Sequence, residues 1–456
     1  MINNFKKNSN MEKGKLMKQD SKIVTIESFY SKKLDNTRKI YVYLPPSYNG
    51  NLNKRYPVLY MHAGQRLFDP VRENDESWNV HKTVDLLIDE NLIHEIIIVG
   101  IAHKRIINTN EYCHFISPDE HIQCSGLLYE EFIVNELKPY IDSNFRTLND
   151  PENTALIGSS AGGLSTYHIG FRRSNIFGKV GILSPFFVKV NDFNHSEQKL
   201  YMCFNEKKPL KIYIDIGGAE GMFLVRHVRE VIDYLLNLGY KSGEDLIYYH
   251  DQNSAHFEKD WGKRVHIPII YFFGNIGKVK SINLLGGNIV GIEGVKVNTN
   301  PIITYESGFI MTDVDGQYMV EQPDVLEIKK DGTIIPKKKG STLVTYLLKN
   351  LKISKTYTVV SALSDFVKVT VTVTVPENTP DNEHLYMSMG MILDKVSKNY
   401  YVGKFTLPRG LACEFKFTRG FRKFEVDKEG NHIPNRKFEA THDLELNYTV
   451  ENWGEL

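Results

Sequence analysis

The chain has 456 residues, more than one hydrophobic core usually supports, so two or three domains are expected. Its composition, 41% hydrophobic and 24% charged, fits neither a disordered nor a membrane class, and no stretch reaches the roughly 18 apolar residues of a membrane-spanning helix. Lysine plus arginine (56) nearly cancels aspartate plus glutamate (55), which removes the electrostatic case for a nucleic-acid partner.

Residues 1–20 are polar and lysine-rich and lack the continuous apolar run of a secretory signal, so a disordered tail and a cytoplasmic location are expected. From 21 to 275 short β-rich runs alternate with helical stretches. "KIYVYLP" (39–45), "PVLYM" (57–61), "EIIIVGI" (95–101), "TALIG" (154–158) and "KIYIDIG" (211–217) read as strands. "LLYEEFIVNELKPYI" (127–141) and 223–238 carry apolar residues at helical spacing. Apolar strands between amphipathic helices predict an α/β fold with a mainly parallel, doubly covered sheet. After about Phe273 the helical signal fades, and two β-sandwich modules are expected, over 276–362 and 363–456. The first has a hairpin turn at Asp331-Gly332; the second has valine at 367, 369, 371, 373 and 375, the alternation of a half-buried strand. The four cysteines, Cys113, Cys124, Cys203 and Cys413, show no close metal-type pairing and read as reduced thiols.

The chemistry concentrates in "IGSSAGG" (157–163). Gly158-Ser-Ser-Ala-Gly162 matches G-x-S-x-G, and it lies between a buried strand and a helix, the setting in which a tight turn presents a serine. The alternative is a glycine-rich connector without chemistry. Ser160 is then the nucleophile and needs a base and an orienting carboxylate, in the chain order Ser, acid, His. The acid falls in "YIDIGGAEG", where Glu220 follows a strand and a glycine turn and Asp215 lies five residues before it. The base is His256 in "DQNSAHFEKDW", chosen over His168, His227 and His266 by order and loop position. The oxyanion donors expected are the backbone N–H groups of Ala161, after the nucleophile, and of Gln65, in the glycine turn of "PVLYMHAGQRLFD". Arg66 and, in the variable loop 102–124, Arg105 are candidate substrate contacts, although such charges equally serve to solvate a surface.

These motifs, together with "RKIYVYLPPSY", "VNELKPYIDSNFRT" and "FGKVGILSPFF", all in order, resemble the esterase family of α/β-hydrolases that includes feruloyl esterases, siderophore esterases and mycolyltransferases. The resemblance implies an α/β-hydrolase fold with Ser160, Glu220 and His256 as nucleophile, acid and base, and a second oxyanion donor in the His62–Gln65 turn. One departure is Ala63, where the family commonly has aspartate. Residues 281–360 are similar to bacterial immunoglobulin-like group 2 domains, and the last module to starch-binding-type carbohydrate-binding modules. That module has Phe421-Arg422 where a tryptophan is usual, and its Trp453 reads as a core residue, so a structural or dimerising role competes with glycan binding. The expected activity is that of a serine carboxylesterase acting on a small-molecule or glycan-linked ester, with no metal or organic cofactor. Acyl transfer through the same acyl-enzyme is the alternative, and a noncatalytic scaffold the third reading.

Overall fold

The computed structural model of the chain describes residues 20–69, 77–104, 109–117, 121–190, 196–381, 384–387, 391–420 and 423–455. The expected tail over 1–20, except Asp20, lies outside them, as do Arg105 and the Phe421-Arg422 pair.

Eight strands form the frame: β1 (Lys22–Ser31), β2 (Asn36–Leu44), β3 (Val58–His62), β4 (Ile97–Ile101), β5 (Thr154–Ser159), β6 (Lys179–Leu183), β7 (Lys211–Gly217) and β8 (Leu246–Asp251). Their order across the sheet is β1-β2-β4-β3-β5-β6-β7-β8. The six from β4 to β8 are mutually parallel, and β1 and β2 add antiparallel to the β4 edge. β3 and β4 are buried along their whole length, which is why these runs are apolar without alternation. The helices are α1 (Val80–Asp89), α2 (Gly126–Phe132), α3 (Lys138–Asn144), α4 (Ala161–Arg172), α5 (Met222–Asn237), α6 (Glu258–Arg264) and α7 (His266–Phe273). A π-turn over Ile133–Leu137 joins α2 to α3, so the helix expected at 127–141 is one continuous rod. Separate apolar clusters cover the two faces of the sheet, one under α1 and α7 and one under α2 and α3.

The boundary expected at 275/276 does not coincide with the edge of this sheet. Ile310–Thr312, Asn300–Tyr305 and Val279–Leu285 continue it beyond β8, bringing it to 11 strands. Tyr248 pairs with Thr312, the His250 N–H donates to Thr312 Oγ1 at 2.9 Å, and Ile303, Phe309 and Met311 enter the core beneath α7. The exposed edge of β8 would otherwise present a row of unpaired backbone groups, which the next strands cover. The rest of the middle module is a four-stranded sheet, Ile289–Gly294, Leu351–Leu363, Gly340–Leu348 and Gln317–Val320. A hairpin at Asp331-Gly332, with φ +82° at Gly332, projects from it, as its turn residues indicate.

The last module is an eight-stranded sheet with a two-stranded ribbon, Ala412–Phe415 against Arg436–Glu439. Val367, Val369, Val371, Val373 and Val375 all point into its core. Trp453 is half-buried against that core, and its Nε1–H donates to Thr379 Oγ1 at 2.9 Å.

One buried ion cluster fixes α2 against α4. Glu130 accepts from Arg172 Nε at 2.8 Å and Arg173 Nε at 2.6 Å, with His114 Nε2 at 3.6 Å. Burial pushes the Glu130 carboxyl up, but these three partners together outweigh it and hold the pKa at about 2. Because the folded value lies below the unfolded one, near 4.5, this stabilisation is complete above 4.5 and is lost as pH falls toward about 2. Glu130→Gln is therefore expected to melt below wild type at pH 7, with the gap closing between pH 4.5 and about 2; circular dichroism melts across that range check it.

Candidate active site

β5 runs buried to Gly158 and ends at Ser159, and α4 begins at Ala161, leaving Ser160 alone at the turn with φ +53° and ψ −124°. This is a conformation that non-glycine residues adopt at a cost of about 1–3 kcal/mol, and it persists because the surroundings over-determine it. The Ser160 N–H donates to Leu183 O at 3.0 Å, and its carbonyl accepts from Leu164 N at 3.1 Å and Phe186 N at 2.9 Å. Glycine at 158 is required because a Cβ there would lie 2.5 Å from the Gly162 carbonyl oxygen and 2.6 Å from the His62 ring.

Glu220 and His256 arrive on neighbouring loops at the same end of the sheet. β7 ends at Gly217 and turns through Glu220, while β8 leads to the loop carrying His256. Gly217 sits where a Cβ would come within 2.0 Å of Ser254 O, so only glycine lets the two loops approach this closely. Glu220 Oε2 lies 2.7 Å from His256 Nδ1, and His256 Nε2 lies 2.8 Å from Ser160 Oγ. The other oxygen, Oε1, accepts from the Gly217 N–H at 2.8 Å and the Ser184 hydroxyl at 2.6 Å. Burial pushes the Glu220 carboxyl up, but His256, Arg264 and Ser184 outweigh it and hold it below the usual carboxylate range. An ionised Glu220 can only accept, so His256 carries its proton on Nδ1 and offers the Nε2 lone pair to Ser160. The His256 ring stands edge-on to Trp261, centroids 4.9 Å apart, and remains 39% exposed on the open side.

Asp215, the other carboxylate considered, faces away from His256. It is fully buried and accepts from Arg264 Nε and Nη2 at 2.9 and 3.1 Å, from the Ser184 N–H at 2.9 Å and from the Tyr213 hydroxyl at 2.9 Å. Burial pushes its carboxyl up, opposed by Arg264. Arg264 Nη2 also donates to Ser184 Oγ at 2.5 Å and lies 3.7 Å from Glu220 Oε1, while Trp261 Nε1 donates to the same hydroxyl at 3.0 Å. Ser184, Trp261 and Arg264 thus form a scaffold under Glu220 that the sequence reading missed. The signal was present in "EKDWGKR", where Trp261 and Arg264, three apart, share the buried face of α6. Replacing Arg264 by methionine leaves Asp215 buried without its cation and is expected to cost about 3–5 kcal/mol, read by urea denaturation.

The two turns expected to supply oxyanion donors are adjacent, because β3 pairs with β5 and His62 packs on Gly158 and Gly162. Gln65 lies in the short helical turn Gly64–Arg66, and among the described residues neither its backbone N–H nor that of Ala161 has a hydrogen-bond acceptor. The Gln65 side chain holds the neighbouring loop, accepting from the His103 N–H at 3.0 Å. At the position of the departure, Ala63 is left-handed with φ +53°, and its N–H donates to the Tyr112 hydroxyl at 3.2 Å. His62 Nδ1 lies 2.9 Å from the Tyr129 hydroxyl, and burial, with His114 and His103 nearby, lowers its pKa to about 3, so it is neutral. Arg66 is partly exposed, 3.9 Å from Glu258 on α6.

The reading of four reduced thiols is corrected at one pair: Cys113 and Cys124 form a disulfide, with Cys203 and Cys413 free. Thr109–Asn110 pairs in parallel with Gln123–Cys124, and the Gly126 N–H donates to Cys113 O at 2.7 Å. That meeting is a property of the folded chain which spacing does not reveal. Among the described residues no cluster of metal-ligating side chains is found, and no helix is long and apolar enough to cross a membrane.

A parallel sheet whose central strand ends in a strained serine turn, with a histidine and a carboxylate delivered by the following strands, defines an α/β-hydrolase. The chain belongs to the Esterase family, whose sequence model, described as "Putative esterase", matches residues 31–262, just over half of the 456. It is similar to an endo-1,4-beta-xylanase/feruloyl esterase of Xylanibacter ruminicola, 31% identical over 166 residues, which cover 34% of this chain but only 21% of that protein. It is also similar to the uncharacterized protein YbbA of Bacillus subtilis, 20% identical over 52% of this chain and 93% of that one. Among solved structures, a ferulic acid esterase aligns at 23% identity with a TM-score of 0.45, covering 56% of this chain and 98% of its own.

Proposed function

We propose that this chain is a serine carboxylic-ester hydrolase working through an acyl-enzyme. The observation that carries the reading is the unbroken hydrogen-bonded line from Ser160 Oγ through His256 to Glu220, beneath a turn held at positive φ. In this reading Ser160 Oγ attacks the ester carbonyl while His256 Nε2 takes its proton. The oxyanion accepts from the N–H groups of Ala161 and Gln65, both free of protein acceptors among the described residues. Collapse expels the alcohol, which takes the proton back from His256. Water, deprotonated by His256, then attacks the acyl-serine; collapse releases the acid, and His256 returns the proton to Ser160 Oγ. Every step uses groups of this chain, so no metal or organic cofactor is required.

The relative named as a feruloyl esterase makes an aromatic acyl ester such as methyl ferulate the first substrate to test, beside p-nitrophenyl acetate. The reaction class is tested by the intact mass of the protein after a fluorophosphonate. One adduct on wild type and none on Ser160→Ala supports the nucleophile. No adduct on a folded wild type overturns the reading.

A further inference from the structure

The Glu220 turn is held on its inner side by the loop after β8, the Gly218 N–H donating to Asp251 O at 2.7 Å and the Ala219 N–H to Ser254 O at 3.1 Å. Its outward carbonyl, Ala219 O, has a partner nearly two hundred residues away: the Ala412 N–H of the last module, at 2.8 Å. Leu411 makes an antiparallel bridge with Glu220 itself. Three residues on, Glu414 reaches the His256 side of the site. Its carboxylate lies 3.1 Å from Lys259 Nζ on α6, three residues after His256, and also takes Lys437 Nζ at 3.0 Å and Asn435 Nδ2 at 3.2 Å. Ala219 and Glu220 are buried beneath this contact.

We propose that the last β-module is a positioning element of the active site, its Leu411–Glu414 segment clamping the Glu220 turn to the helix that follows His256. A binding module on a tether would touch its catalytic domain only through the linker, whereas this one completes the backbone hydrogen bonding of the acid turn and ion-pairs with the base helix. The Ala412–Phe415 strand has one edge paired to Arg436–Glu439 and lends the start of its other edge to the turn. The inference rests on the reading of Glu220 and His256 as catalytic partners. Leu411, Ala412 and Glu414 act only through that pair and are positioning residues.

The test is a charge-swap cycle in the full chain: Glu414→Lys, the pair Lys259→Glu/Lys437→Glu, and the combined triple variant. Amide exchange of 218–220 and of Ala412, and kcat and KM for p-nitrophenyl acetate, are measured for each. Glu414→Lys is expected to speed exchange at these amides about tenfold and to lower kcat about fivefold with KM within about twofold, and the triple variant to restore both. Because a smaller folded fraction would also lower apparent kcat at unchanged KM, kcat is expressed per fluorophosphonate-titrated site, so that only displacement of the pair registers as a loss. Wild-type exchange and kcat in Glu414→Lys, or a triple variant as impaired as Glu414→Lys, overturns the proposal while leaving the esterase reading standing. Exchange coupling with no turnover in wild type overturns the esterase reading, and with it the catalytic role of the clamp.

Discussion

Ser160→Ala is expected to lower kcat/KM for p-nitrophenyl acetate by at least about a thousandfold while the protein stays folded. Among the described residues the Oγ atom's hydrogen bond is to His256 Nε2, so its removal takes away the proposed attacking atom and little else. The backbone constraint at position 160 comes from bonds to Leu183, Leu164 and Phe186, none of which involves the side chain, and alanine inherits the same geometry. What survives is the background rate that the Ala161 and Gln65 donors provide to a water attack. Steady-state kinetics beside a thermal melt decide it: turnover within tenfold of wild type in a folded variant rules out Ser160 as nucleophile.

The second large effect is expected at Glu220→Gln, a change of one atom. Oε1 sits between two donors, the Gly217 N–H and the Ser184 hydroxyl, so the glutamine must place its carbonyl oxygen there. Its NH2 group then faces His256 Nδ1 as a donor. The imidazole has to accept at Nδ1, its proton moves to Nε2, and the ring can no longer take the proton of Ser160. A wrong tautomer of this kind costs about 10⁴ in kcat where a triad acid is amidated, and about 10³–10⁴ is expected here. Substrate binding is untouched, so KM should hold within about twofold. A loss smaller than tenfold would show that Glu220 is not the acid the histidine depends on, and Asp215, locked to Arg264, is not placed to replace it.

The last module adds a consequence for design. Trimming this chain to the family-matched residues 31–262 would remove the donor to Ala219 O and Glu414, which pairs with Lys259, so activity is best sought in the full chain.

Much of the site was legible in the residues because local geometry leaves so few choices. A serine at positive φ needs glycines on either side of it, and "GSSAG" after an apolar strand specifies that turn before any tertiary contact is known. Ser160, Glu220 and His256 could be placed in order, and the ends of β3, β4, β5 and β7 could be located within about two residues, because buried parallel strands are continuous apolar runs. The choice between Glu220 and Asp215 stays open in the residues, with Glu220 preferred, since Asp215 lies within β7 and Glu220 in the turn just after it. It is decided by which side of β7 meets α6, where a buried arginine claims Asp215 and leaves Glu220 facing His256. Three further features depended on chain segments meeting across long separations. The sheet continues past β8 because an open edge recruits the next strands, whose alternation by itself reads as a separate sandwich. Cys113 meets Cys124 where Thr109–Asn110 pairs with Gln123–Cys124, a contact that spacing does not announce. The last module reaches the acid turn through a backbone N–H, a group that every residue but proline carries and that no pattern of side chains can reveal. The sequence by itself determined the serine turn and the candidate residues around it; the tertiary structure decided which carboxylate stands beside His256 and what holds it there, because both depend on segments that meet only when the chain folds.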